Sequence, residues 1–409
     1  MDRVELLTGN EAAARAVRLS KPQVIPTYPI TPQSPMLASI AGDVAAGVLK
    51  AEFLNMESDY AAMAAAVGAS LGGARVFTAT NSQGLLFMAE HLYTASGSRC
   101  PIVMAVVNRA ISVPHSRYAD HNDALAVSRA GWMQLFCEDA QEILETTIQL
   151  FKICEDPRVR LPAMLCYESF IHSNTAEGVV VPAAAAVDQY LGQPRVEALL
   201  DPAAPRALNP PTPPEWYTEF KFAEQQAMET ALRVIPEVGA AYAGAFGTRP
   251  RGLIETAQPG GRCVLASMGS IVKTARRAIR ELQAERLSVS LLKVRTYRPF
   301  PAAAIREALT GAEVIVAVDR NSASGSHGVL YDEIRSALYG MPDPPRVVGV
   351  IAGLGGRDVT VRQIKEITRR ALKREPPFDR NDEPIEWLGL DRGRVRDESP
   401  QARPLARTG

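Results

Sequence analysis

Glu57 stands where a short apolar stretch, Ala51–Asn55, gives way to a run holding Ala61, Ala62, Ala64, Ala65, Ala66 and Ala69. The first stretch reads as a strand and the second as a close-packing helix. The carboxylate therefore falls at the carboxyl end of a strand, the edge where open α/β sheets bind ligands, and a carboxyl group there can hold or pass a proton. The same placement has a purely structural explanation, because an acid in the first turn of a helix is favoured by the dipole and the free amides. Thr31, in Tyr28-Pro29-Ile30-Thr31-Pro32, reads as an N-cap with Pro32 at the first helical position. A hydroxyl and free amides at a strand end form an anion site, although a plain cap is the more frequent meaning of such a threonine. Between His115 and Asp123 two of the five histidines, His115 and His121, lie near Asp120 and Asp123. Their spacing fits no standard ligand pattern, so no metal is expected in this loop.

The elements that must hold these groups alternate. Thr8 and Glu11 form a capping box ahead of a helix at Ala12–Leu19, and the segment before it, within MDRVELLTGNEAAARAV, reads as charged and helix-like. A strand at Gln23–Tyr28 leads to a helix at Gln33–Ala46. After the Glu57 unit come strand Ala74–Thr80, the turn Asn81-Ser82-Gln83-Gly84, a helix to about Ala95 and strand Ile102–Val107 ending at Asn108-Arg109. Helix Glu138–Cys154 and strand Leu161–Glu168 close a first domain, residues 1–174. Residues 175–260 read as a proline-rich connector with one helix near Glu215–Val234. Residues 261–373 read as a second block of alternating strands and helices, and 374–409 as an extended tail whose Ile385, Trp387, Leu388 and Leu390 suit an arm that docks on a partner. Such alternation implies an α/β chain with two mostly parallel sheets. The glycines at Gly325, Gly328 and Gly353–Gly356 lack nucleotide-loop spacing and read as turns.

Composition narrows the function. Lys+Arg and Asp+Glu number 45 each, which gives no basic field for nucleic acid or a membrane surface. The five cysteines form no C-x-x-C pair, which argues against an iron–sulfur cluster or structural zinc on this chain. No apolar run has membrane-spanning length and no signal peptide is evident, so a cytoplasmic protein with reduced thiols is expected.

Several short motifs occur together: YPITPQSP at Tyr28–Pro35, Asn55-Met56-Glu57-Ser58, NSQGL at Asn81–Leu85, NRAIS at Asn108–Ser112, ADHND at Ala119–Asp123, YRPFP at Tyr297–Pro301, VDR at Val318–Arg320 and GLGGRDVT at Gly353–Thr360. In this order they resemble the α subunit of the 2-oxoacid:ferredoxin oxidoreductases, a group that includes pyruvate and 2-ketoisovalerate enzymes. The resemblance covers about Thr8 to Leu372. It implies a pyrimidine-binding thiamine diphosphate domain followed by a domain like the C-terminal domain of transketolase. It further implies a β subunit holding the diphosphate and Mg²⁺, a γ subunit, iron–sulfur clusters on other subunits, coenzyme A as co-substrate, and ferredoxin or another electron acceptor. Glu57 matches the family's glutamate, whose carboxyl bonds N1′ of the aminopyrimidine and promotes the tautomer that takes the proton from thiamine C2. Thr31 and Arg109 match residues at the substrate, a hydroxyl and a guanidinium suited to a carboxylate and its neighbouring carbonyl. Ser82 and Gln83 are expected at the cofactor, and Pro29 beside the substrate.

The chain departs from the family's pattern after Pro114. Where relatives often carry an apolar, tryptophan-bearing stretch, it has His115, Ser116, Arg117 and Tyr118. His115 and Tyr118 are therefore expected to line the substrate pocket, and an aromatic 2-oxo acid such as phenylglyoxylate stands beside pyruvate as a candidate. Two other functions compete: a scaffold subunit that has lost the chemistry, and a thiamine enzyme that makes carbon–carbon bonds without redox. Retention of Glu57, Thr31 and Arg109 disfavours the first, and the domain order disfavours the second.

Overall fold

The computed structural model describes residues 3–194, 196–378 and 384–395. Its strands, in chain order, are β1 Arg3–Thr8, β2 Val24–Thr27, β3 Glu52–Asn55, β4 Val76–Thr80, β5 Ile102–Asn108, β6 Met133–Phe136, β7 Ala163–Glu168, β8 Ala176–Val181, β9 Ile254–Ala257, β10 Cys263–Ser267, β11 Val289–Val294, β12 Thr296–Arg298, β13 Val314–Asp319, β14 Arg346–Ile351 and β15 Ile385–Trp387. A seven-stranded sheet has the order β12-β6-β7-β5-β4-β2-β3, and a six-stranded sheet the order β15-β14-β13-β10-β11-β9. All pairs in the first sheet are parallel except β12 with β6, and all in the second except β9 with β11. The α/β reading with two parallel sheets holds. Both faces of each sheet are covered, so the inner strands β4, β5 and β7 are buried along their whole length.

Three local expectations change. The N-terminal segment is not helical: Arg3–Thr8 pairs antiparallel with Ala176–Val181 as a separate two-stranded sheet, and the helix begins at Gly9, just after the Thr8–Glu11 capping box. A long-range partner overrides the local helical preference. Thr31 is not the N-cap. That position is Gln33, Pro35 takes the first helical turn, and the helix runs Ser34–Ala45. YRPFP lies in the second half of the sequence, yet its Thr296–Arg298 strand joins the first sheet.

The stretch read as connector contributes to the first core. The helix Pro214–Phe246 lays Ala227, Ala231, Val234, Ile235, Val238 and Tyr242 against the first half, where Val187, Tyr190 and Leu191 of helix Ala184–Leu191 are also buried. The two halves share a second core, in which Met63, Trp132 and Phe136 meet Leu292, Ile305 and Leu330. The tail's Ile385–Trp387 adds to the second sheet of this same chain, pairing with β14, so this part of the expected partner-docking arm is occupied at home. Residues 379–383 and 396–409 of the tail lie outside the described residues. Among the described residues no helix is long and apolar enough to cross a membrane.

Beside that core the halves are joined by charge. Lys293 on β11 is fully buried, with Nζ 2.6 Å from Glu142 and 3.0 Å from Glu138 of the first half. Arg276 makes a two-pronged bond to Glu138 at 2.6 and 2.9 Å. Burial opposes the charge on Glu142, but Lys293, Arg251 and Arg295 outweigh it and hold the carboxyl well below its ordinary range.

Candidate active site

Glu57 follows β3, the edge strand of the first sheet, and its side chain is exposed. The turn is anchored at both ends: Met56 N donates to Thr27 O at 2.9 Å, and Ser58 Oγ caps the helix Asp59–Leu71 by accepting from Ala61 N at 3.1 Å. Glu57 thus precedes the cap and lies outside the helix. The acid in the first turn is Asp59, so the helix dipole explains Asp59 and leaves Glu57 without that structural explanation. Asp59 is buried; burial pushes its carboxyl up, opposed by Thr80 Oγ1, which donates to it at 2.7 Å. Gly84 is required at this spot, because a Cβ there would lie 2.6 Å from both Asp59 Oδ1 and Thr80 Oγ1.

Strand ends β2, β4 and β5 bring together Thr31, Ser82, Gln83 and Arg109. Arg109 is 6% exposed, and its guanidinium donates from Nη2 to Gln83 Oε1 at 2.8 Å and from Nη1 to the backbone carbonyl of Thr31 at 2.5 Å. Its Nε is buried without a protein partner, an orphan donor where an incoming acceptor would be stabilised. Burial pulls the Arg109 pKa down from its ordinary value; Asp123 opposes this and Arg117 adds to it. Thr31 meets Arg109 through its carbonyl, and its side chain is exposed beside exposed Pro29. Ser82 adopts φ +49°, gives its Oγ–H to Ala110 O at 2.7 Å and lies 2.5 Å from Gln83 Oε1. These five predicted residues converge on one edge of the sheet, and Glu57 stands on the same edge one strand beyond β2.

The loop after Pro114 folds back beside Arg109. Its base is closed by Ala110 N to Tyr118 O at 3.0 Å and by Ser169 Oγ to Arg117 O at 2.6 Å. The Tyr118 ring lies 5.2 Å from that of Phe170 and abuts Gly356 of the second half, and exposed His115 bonds Ser112 Oγ at 3.1 Å. His115 and Tyr118 are both exposed, on the loop that returns to the residue after Arg109. The tyrosine is used to pack the loop against the second half.

The histidines and aspartates of that region serve separate ends. Asp120, pushed up to about 6 chiefly by burial, accepts from Asn122 N at 2.8 Å. His121 Nε2 pairs with Glu168 at 2.9 Å, and His172 Nδ1 with the same carboxylate at 2.6 Å. Glu168, at the end of β7, also accepts from Ser270 N of the second half at 2.9 Å, with Arg320 at 3.7 Å. This buried cluster escaped the sequence reading because its members lie far apart in the chain; only their shared position at strand ends could have signalled it. A cavity of about 480 Å³ opens beside it between the halves, lined by His172, Thr175, Ser270, Lys273 and Arg320 among others, and Glu57 is not among its walls. Among the described residues no three His, Cys, Asp or Glu side chains are grouped to hold a metal.

Residues 15–240 match the family model for "Pyruvate flavodoxin/ferredoxin oxidoreductase, thiamine diP-bdg", and 262–364 that for "Pyruvate:ferredoxin oxidoreductase core domain II". Pyruvate synthase subunit PorA of Methanothermobacter thermautotrophicus is 40% identical over 388 residues, 95% of this chain and 98% of that protein. The chain belongs to the 2-oxoacid:ferredoxin oxidoreductases, as an α subunit. Within this family, ketoisovalerate oxidoreductase subunit VorA of Pyrococcus horikoshii is 38% identical over 391 residues, 95% of this chain and 98% of that protein. The solved 2-oxoglutarate:ferredoxin oxidoreductase from Magnetococcus marinus superposes with a TM-score of 0.72 at 18% identity over 90% of this α subunit, which spans 65% of that longer chain. A split-gene transketolase superposes with a TM-score of 0.53 at 14% identity, over 90% of this chain and 98% of that one. The transketolase-like architecture expected from sequence is therefore present, and the α subunit is part of an oxidoreductase acting on 2-oxo acids.

Proposed function

We propose that this α subunit supplies the proton-handling acid and the carboxylate clamp for CoA-dependent oxidative decarboxylation of a 2-oxo acid: R–CO–COO⁻ and CoA–SH give R–CO–S–CoA, CO2, one proton and two electrons. Thiamine diphosphate, when bound, supplies the nucleophilic carbon that adds to the 2-oxo carbon. Glu57 carries the proposal, because an exposed carboxylate at the strand edge, explained by neither cap nor dipole, suits a proton held at N1′ of the aminopyrimidine. Ser82 and Gln83, at the next inward strand end, would flank the ring. Arg109 would offer its orphan Nε to the substrate carboxylate, with the exposed Thr31 hydroxyl as a second donor and Pro29 beside it. A β subunit would bring the diphosphate site and its Mg²⁺ over the exposed edge. A γ subunit and iron–sulfur subunits would complete the complex and carry the electrons singly to ferredoxin or another acceptor, in a cytoplasmic setting.

The named relatives act on pyruvate and ketoisovalerate, and Tyr118 is directed to Phe170, so we read the substrate as a short aliphatic 2-oxo acid. Purified complex with CoA and a viologen acceptor should turn over pyruvate or 3-methyl-2-oxobutanoate and reject phenylglyoxylate. A preference for phenylglyoxylate would reverse the assignment. Glu57→Gln should abolish turnover with the complex still assembled, since the amide cannot relay the proton. Activity within about tenfold of wild type would refute the role of Glu57.

A further inference from the structure

Asp123 is fully buried and receives four N–H donors. Oδ2 accepts from Ser82 N and from Arg109 N, both at 2.9 Å, and Oδ1 accepts from Asn108 Nδ2 and Ala124 N, both at 2.8 Å. One oxygen thereby ties the residue that follows β5 to the turn that follows β4. That turn is the one in which Ser82 holds φ +49°, a left-handed backbone that a side-chain-bearing residue keeps only when its surroundings impose it. The bond from Asp123 is such an imposition. With Ser82 held, Gln83 presents Oε1 to Arg109 Nη2, so the same carboxylate oxygen fixes the backbone at both ends of the Arg109–Gln83 contact. The remaining two donors fill Oδ1, and an asparagine, with one acceptor oxygen, could not receive all four.

We infer that Asp123 is the positioning residue for the substrate arginine: it sets the register of Arg109 against Gln83 and so aims the guanidinium, without touching substrate itself. The inference rests on the reading that Arg109 binds the 2-oxo acid's carboxylate. It assigns to the second aspartate of ADHND a role separate from metal binding, and it makes the Asn81–Gly84 turn and Arg109 one mechanical unit.

A double-mutant cycle in the assembled complex tests this. Asp123→Asn should raise KM for the 2-oxo acid about tenfold with kcat changed less than about twofold, the loss expected for one or two hydrogen bonds acting on ground-state binding. In an Arg109→Ala background the same change should alter KM by less than about twofold, because the group it positions is gone. Amide hydrogen exchange in peptides spanning 80–86 and 106–112 should quicken in Asp123→Asn. The Asn108→Asp/Asp123→Asn double variant moves the carboxylate to the other side chain, keeping the bonds from Ser82 N and Arg109 N and the 108–123 bond while giving up only that from Ala124 N, and should return KM to within about threefold of wild type. If Arg109→Ala leaves KM unchanged, the substrate reading falls and this inference with it. If Arg109→Ala raises KM but Asp123→Asn acts additively in that background, or lowers activity only in proportion to lost folded complex, the positioning role alone is overturned. Should Asp123→Asn fail to assemble, the reciprocal variant decides: near-normal KM supports the role, and a KM raised as far as in Arg109→Ala refutes it.

Discussion

Lys293→Met should unfold the chain early, and the cost can be worked from the contacts. The substitution keeps the volume of the side chain and removes a cation that is fully buried between Glu142 at 2.6 Å and Glu138 at 3.0 Å. Glu138 keeps its two bonds to Arg276 at 2.6 and 2.9 Å. Glu142 Oε2 keeps only the N–H of Glu138 at 2.7 Å, while its Oε1 keeps Arg295 at 3.2 Å and Arg251 at 3.6 Å. Breaking a buried pair by removing one partner costs about 3–5 kcal/mol, and the surviving guanidiniums place this case near the lower bound, about 3 kcal/mol. For domains of this size that is a fall of about 6–12 °C in Tm. Thermal unfolding followed by circular dichroism measures it. A shift under about 2 °C would show that the lysine is not what compensates Glu142.

The other predictions concern the site and its supports. Arg109→Lys keeps the charge and loses the planar fork, so catalytic efficiency should fall by about 1–3 kcal/mol, roughly 5- to 150-fold; unchanged steady-state kinetics would make Arg109 structural. Gly84→Ala should destabilise by about 1–3 kcal/mol because its Cβ meets Asp59 and Thr80 at 2.6 Å, and a Tm equal to wild type would contradict that close approach. The Glu168–His172 pair gives a pH window. Burial opposes both charges, but each holds the other: Glu168 is well below its ordinary 4.5, so its contribution is present above that value and lost as pH falls through the lowered pKa. His172 lies above its ordinary 6.5, so its contribution is full below 6.5 and lost as pH rises through the raised pKa. Stability from this pair should therefore peak between 4.5 and 6.5, and Glu168→Gln should flatten a Tm–pH profile there; an unchanged profile would deny the coupling.

The alternation of strands and helices was legible because hydrophobic period and turn residues are local signals. Glu57 was placed correctly at a strand end for the same reason. What was not legible depends on distant partners. Arg3–Thr8 becomes a strand only because Ala176–Val181 lies beside it, and Thr296–Arg298 crosses to the first sheet because β6 offers an edge. The role of Asp123 depends on Ser82, 41 positions away. Tyr118 packs on Phe170 and Gly356, neither of which is near it in the chain. The cap at Gln33 turned on which of two nearby prolines entered the first turn, a choice that the local sequence leaves open.

Burial separates the two halves of the proposed chemistry. Arg109 is buried, its forks engaged by Gln83 and Thr31, so the clamp is preorganised before substrate arrives. Glu57 is exposed just after an edge strand whose Leu54 is also exposed, and Tyr28, which follows the neighbouring strand, is exposed as well. A carboxylate in water is hydrated, and an uncovered strand edge with apolar side chains is a liability in isolation. Both features become functional under one condition, a second surface laid over the edge, which would dry the acid and hide the apolar groups. On the reading proposed here that surface is the β subunit. The clamp is then set by this chain alone, and the acid becomes competent only on assembly.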